Sequence, residues 1–197
     1  MTRRLAPGWR AAVAVLLLPA RVACGGGKKA ADKGSDTTAA GAKTSAIERP
    51  ANEGIKGVMA VRVTSASHTL GKVDYPIHPP AGGDHNPTPA PCGFYDQVVP
   101  DEYVVHTLEH GGVWLAYSQS LSQADVDAIH KLADDNDDLI ATPYPGLAKG
   151  VAVVESAWAR QLTLTSVDDP RLKEFYEKYR NADTAPEASI PCPRVQP

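Results

Sequence analysis

The stretch YVVHTLEHGGVWLAY, residues 103–117, places His106, Glu109 and His110 within five residues and then meets two glycines. Its local structure decides what those side chains can do together. On a strand, four residues span about 13 Å, too far for two histidines to share an ion whose ligand bonds are about 2 Å long. Glu109 would also point to the opposite face. On a helix, His106 and His110 stand one above the other, about 6 Å apart, and Glu109 turns toward them. Tyr103, Val104, Val105 and Thr107 are all comfortable in strands. The flanks favour the helix: Pro100, Asp101 and Glu102 suit a first turn, Val104, Val105 and Leu108 form one apolar stripe, and Gly111 and Gly112 supply a left-handed stop.

Downstream, VWLAYS (113–118) reads as a strand and LSQADVDAIHKLADDND (121–137) as a helix. Ser122 is its N-cap, Asp125 three residues on completes a capping-box variant, and Val126, Ile129 and Ala133 mark the buried face. LIATPY (139–144) is a short strand, and GVAVVESAWARQLTLTS (150–166) supplies one or two more. DDPRLKEFYEKYR (168–180) opens a helix with Asp169 as N-cap and Pro170 first in the helix, burying Leu172, Phe175, Tyr176 and Tyr179. Upstream, GVMAVRVTS (57–65) is a first strand.

Between that strand and the central helix lies Gly71–Pro100, with Pro76, Pro79, Pro80, Pro87, Pro89, Pro91 and Pro100. These prolines forbid regular ladders but fix many φ angles. Tyr75, Phe94, Tyr95 and Cys92 argue that the loop is ordered. The expected class is α+β: a small, largely antiparallel sheet with helices packed on one face, plus this long proline-rich ordered loop.

The N-terminus has Arg3, Arg4 and Arg10 ahead of or beside an apolar run, residues 11–20, too short to span a bilayer. Residues 1–23 therefore read as a signal peptide. Cys24, followed by a glycine run, resembles the acylated cysteine of bacterial lipoproteins, and the Arg3–Arg4 pair resembles a twin-arginine export signal. Residues 24–52 contain no aromatic and one large aliphatic, Ile47, so they read as a disordered tether, leaving 53–197 as a single α+β domain. The expected location is the cell envelope, on the outer face of the cytoplasmic membrane through an N-terminal lipid or signal anchor, or secreted.

Without residues 1–23, 16 basic residues face 23 acidic ones, about −7 in all. With no basic stripe, this composition argues against nucleic acid as a partner. Cys92 and Cys192 form an even pair in an exported chain and read as a disulfide. By chain entropy, such a long loop would stabilise the fold by roughly 4–5 kcal/mol.

Five of the six histidines, His68, His78, His85, His106 and His110, fall within 43 residues. A proline-stiffened loop can hold donors in place as a preorganised ligand shell requires. The expected metal ligands are His78, His85, His106 and His110, with Glu109 or Asp84 as a carboxylate ligand or orienter. With the cysteines paired and Met59 the sole methionine after the signal segment, zinc or copper(II) is favoured over copper(I). His130 reads as a surface residue on its amphipathic helix.

HTLEH resembles the inverted zinc-protease motif H-x-x-E-H, in which both histidines bind zinc and the glutamate activates water. Such enzymes need a further acidic ligand, for which Glu155, Glu174 and Glu177 are candidates. Over a wider span, VDYPIHPPAGGDHNPTPAPCGFYDQVVPDEYVVHTLEHGGVWLAY (73–117), with YPGL, SAWARQL and DDPRLKEFYEKYR, resembles the exported bacterial family known as domain of unknown function 3105. The likeness runs from about His68 to Cys192, and its most specific portions are the H-P-P-x-x-G-x-H loop and the H-x-L-E-H-G-G turn. It agrees with membrane attachment by an N-terminal anchor and implies no particular reaction. The leading functional expectation is a metal-binding module of the cell envelope. A structural or partner-binding envelope protein without metal is the alternative, and a metal-dependent hydrolase is a third reading.

Overall fold

The apolar run Val113–Ser118 becomes strand β4 of a seven-stranded sheet, whose order is β1-β2-β7-β6-β4-β5-β3. The computed structural model describes residues 47–195; the signal segment, Cys24 and most of the tether lie outside the described residues. The strands are β1 (Ile47–Pro50), β2 (Met59–Val61), β3 (Gly93–Phe94), β4, β5 (Leu139–Tyr144), β6 (Val153–Ala157) and β7 (Arg160–Leu164). Three helices accompany them: α1 (Asp101–Glu109), α2 (Gln123–Asp134) and α3 (Pro170–Tyr179).

The sheet is α+β in character and mostly antiparallel, with β4 and β5 parallel, and β5 and β3 parallel. The β4–β5 pair is joined through α2, since parallel neighbours need a crossover rather than a tight turn. β6 and β7 form a hairpin that turns at Trp158 and Ala159, with Ala159 at φ 61°. Two expectations of extent need correction. The first strand is shorter than 57–65, because only Met59–Val61 finds ladder partners. The folded part begins earlier than residue 53, because β1 pairs with β2, and the backbone N–H of Ala51 donates to the carbonyl of Val58.

Local signals explain the helices. The Ser122 hydroxyl accepts from the Asp125 N–H at the start of α2, and the Asp169 carboxylate accepts from the Arg171 N–H at the start of α3. Each cap satisfies one of the backbone donors a helix start leaves open. Period-2 alternation in β4 splits the core. Val113, Leu115 and Tyr117 join Ile129, Ala133, Leu172, Phe175 and Tyr179 on the face covered by α2 and α3. Trp114 and Ala116 join Val104, Val105 and Leu108 of α1 on the other face. α2 and α3 thus share one face as expected, while α1 is the exception and covers the opposite one. Its stripe of Val104, Val105 and Leu108 is fully buried there.

Residues between β2 and β3 hold no helix or ladder strand, in keeping with their prolines. Their polar groups are bonded instead to α1 and to one another. The N–H groups of Asn86 and Ala90 donate to the carbonyls of Glu102 and Tyr103, both at 3.0 Å, and the Tyr75 hydroxyl donates to the Asp84 carbonyl at 2.6 Å. Cys92 and Cys192 are disulfide-bonded, with Cα atoms 5.7 Å apart. Beside the bridge, Cys92 donates its N–H to Pro193 and accepts from Val195, so the C-terminal segment is fastened alongside β3.

Candidate metal centre

The HTLEHGG stretch is a helix end. Gly111 donates to the Leu108 carbonyl and Gly112 to the Thr107 carbonyl, both at 3.0 Å, which is a Schellman close. Gly111 takes φ +95°, and a Cβ there would lie 2.9 Å from Asn181 Cα. Glycine is therefore required twice over: for the left-handed turn and for the close passage of the C-terminal segment. That segment continues to Glu187, whose N–H donates to the Glu109 carbonyl at 3.0 Å.

From the other side, residues 67–69 pair with His85. The Thr69 N–H donates to the His85 carbonyl at 2.7 Å, and the His85 N–H donates to the Ser67 carbonyl at 3.0 Å. This short bridge sets His68 beside His85, and the Asn86 bond to α1 presses both against His106. The ring centroids lie 5.0 Å apart for His68–His85 and His68–His106, 4.8 Å for His85–His106 and 4.5 Å for His106–His110. Trp158 closes on His85 edge to face. His85, His106 and Glu109 are 0%, 4% and 5% exposed, while His68 lies at the surface.

Tautomers follow from the partners. His85 Nδ1 lies 2.8 Å from the Gly83 carbonyl, and His106 Nδ1 lies 2.7 Å from the Asn86 carbonyl. A carbonyl only accepts, so both Nδ1 atoms carry hydrogen, and in the neutral rings both Nε2 atoms present lone pairs. His85 Nε2 then stands 2.9 Å from Glu109 Oε2. The contact is short enough for an ion pair, yet it lacks the direction of a hydrogen bond, and this buried nitrogen has no hydrogen-bond partner among the described residues. With a neutral ring, an acceptor faces an acceptor there. A cation between them would relieve that arrangement, and backbone carbonyls that fix the far ring nitrogen are the usual support of ligating histidines.

Burial lowers the His106 pKa to about 4, opposed by the bond to the Asn86 carbonyl and reinforced by His110, His85 and His68 nearby. Its Nε2 is thus unprotonated, and free to bind an ion, at neutral pH. One donor atom from each of His68, His85, His106 and Glu109 lies within 4.8 Å of the others. Glu109, His110 and Glu187 form a second set with the same property. His110 Nε2 is 3.0 Å from His106 Nε2 and 3.4 Å from Glu187 Oε2.

The fold therefore brings His85, His106 and Glu109 together and puts His110 beside them. His78 does not join. It is exposed at the start of α1, with Nδ1 3.3 Å from the Tyr144 hydroxyl and 3.8 Å from Asp101 Oδ2. Asp101 and Glu109 are the two ends of α1, about 12 Å apart at helical rise, so the residues between the Pro79–Pro80 pair and His85 carry the chain from one end to the other. Asp84 is also excluded. Its carboxylate accepts from the Ser65 hydroxyl and the Ser67 N–H, which hold it below the usual range, and it fastens the turn that presents His68. Of the acids considered for a protease, Glu155 is buried in the α2–α3 core, while Glu174 and Glu177 are exposed on α3.

Two contributors lay beyond sequence reasoning. His68 was visible as one histidine of the group, but nothing local marked it over His78. Glu187, in PEASIPC, carries no motif, and only the return of the C-terminal segment places it. Residues 67–194, well over half of the chain, match the family model described as "Protein of unknown function (DUF3105)". No curated protein and no solved structure matches the chain.

Proposed function

The chain belongs to this family of unknown function, domain of unknown function 3105, and from that premise we propose that it is a metal-binding module of the cell envelope, holding a divalent ion through His68, His85, His106 and Glu109. The observation that carries the reading is the Nε2 of His85, fully buried, without a hydrogen-bond partner among the described residues and 2.9 Å from the Glu109 carboxylate. A buried polar atom left without a partner costs about 1–3 kcal/mol, and the fold tolerates it at a point where three imidazoles and a carboxylate converge. Imidazole and carboxylate donors without thiolate suit zinc or copper(II). The module would serve capture or delivery of that ion, tethered to the membrane by its N-terminal signal or lipid.

The test uses the full chain, purified without a metal-binding tag, stripped with chelator and then offered zinc or copper(II). After desalting, elemental analysis should find bound ion in the native protein and in His78→Ala, and the ion should be lost from the His85→Ala, His106→Ala double variant. At a free ion concentration of about 100 times Kd, binding should raise stability by about 2.7 kcal/mol, read as a higher Tm. A native protein that takes up neither ion would overturn the proposal.

A further inference from the structure

The second donor set is more than an extension of the first. Glu109 is common to both, so its carboxylate stands between the three histidines on one side and His110 with Glu187 on the other. The two sets differ in their access to solvent. The first holds two buried histidines, His85 and His106, beside His68, whose side chain is 54% exposed, whereas the second has no buried histidine: the His110 side chain is 13% exposed and that of Glu187 53%. Glu187 is held in place: its own N–H is bonded to the Glu109 carbonyl, and the Cys92–Cys192 bridge anchors the segment that carries it.

Charge points the same way. Among the described residues, the ion-pair partners of Glu109 and Glu187 are histidines alone. Two carboxylates share one small region, and a single divalent ion would leave His110 with an unused ring nitrogen. His106 Nε2, as a lone pair, can accept a hydrogen bond from His110 only while no ion occupies it. Once an ion is bound there, His110 Nε2 needs another partner, and the oxygens of Glu109 and Glu187 surround its position.

We propose that the centre is dinuclear: one divalent ion on His68, His85 and His106, and a second on His110 and Glu187, with the Glu109 carboxylate bridging the two. The inference rests on the reading of the first site. An ion with only three protein donors keeps open positions for water or an exchanging ligand, so the second ion is the exchangeable one. Carboxylate bridging brings two ions to within about 3.5–4 Å, the separation of two-metal centres.

The test is the stoichiometry of the stripped full chain with zinc alone, by calorimetric titration and elemental analysis, repeated with Glu187→Gln and with the His85→Ala, His106→Ala pair. Two equivalents are expected for the native protein, and one for Glu187→Gln, whose fold is checked by an unchanged Tm in chelator. With copper(II), the doubly loaded native protein should show an electron paramagnetic resonance signal attenuated by coupling, and Glu187→Gln should restore the signal of an isolated ion. One equivalent in the native protein, unchanged by Glu187→Gln, would overturn the second site and leave the first standing. Two equivalents that persist in Glu187→Gln would overturn its location. No uptake in any variant would remove both.

Discussion

Glu109 and Glu155 are both buried glutamates, 5% and 0% exposed, on opposite sides of one sheet. Glu109 is met by the ring nitrogens of His85 and His68, 2.9 and 4.0 Å away. Glu155 has Leu115 and Leu162 as cross-strand neighbours, and neither of its carboxyl oxygens has a hydrogen-bond partner among the described residues. Burial raises its pKa well above the usual carboxylate range, because a low dielectric penalises the charged form. Burial by itself makes a neutral, poorly satisfied core residue. Burial beside imidazoles whose tautomers are fixed by backbone carbonyls makes a place for a cation.

The largest expected effect tests whether the two sides are independent. Cys192→Ser should lower stability by about 2–5 kcal/mol in denaturant unfolding. The loss should fall on the Glu109 side, with faster hydrogen exchange in residues 181–195 while α2 and α3 stay protected. Equal loss of protection in α2 and α3 would mean that the two faces act as one.

Next in size is the Glu155 side. Glu155→Met should raise stability by about 1–3 kcal/mol at pH 8, since it removes an unsatisfied buried polar group. The pH dependence has a definite sign. The unfolded carboxyl titrates near 4.5, and the folded one well above it. Between those values the folded state holds the extra proton, so stability falls as pH rises, by up to about 1.4 kcal/mol per pH unit. Glu155→Gln should flatten that slope, while zinc uptake at the other face stays as in the native chain. A destabilised Glu155→Met would show that the carboxyl has a partner after all.

The smallest effect probes the junction between α1 and the C-terminal segment. Gly111→Ala forces a Cβ into a left-handed φ of +95° and against Asn181, and should cost about 1–2 kcal/mol in Tm-derived stability. Because Asn181 leads to Glu187, the same variant should weaken the exchangeable ion more than the one held by His68, His85 and His106. Equal weakening of both would place Glu187 outside the centre.

Much of the fold was legible because its signals are local. Ser122 with Asp125, and Asp169 with Pro170, mark helix starts within four residues, and the double glycine marks the end of α1. β4, β5 and α3 carry apolar patterns that leave little choice of structure. β1 was not legible: Ile47–Pro50 has too little apolar character to announce itself and becomes a strand through its pairing with β2. The position of α1 on the far face was also hidden, because an apolar stripe states that a helix is buried but not against which side of a sheet.

The same division runs through the site. Sequence alone determined that His106, Glu109 and His110 share one helical face, since three- and four-residue spacing settles that within a single turn. It also indicated the Cys92–Cys192 pair, by their even count together with the expectation of export. Only the tertiary structure decided that His68 replaces His78, that Asp84 fastens a turn, and that Glu187 reaches Glu109. Those choices rest on contacts between residues far apart in the chain, such as the His68–His85 bridge and the Glu187–Glu109 bond. No local pattern encodes such contacts, because their cost in chain entropy is offset only when the whole core is assembled.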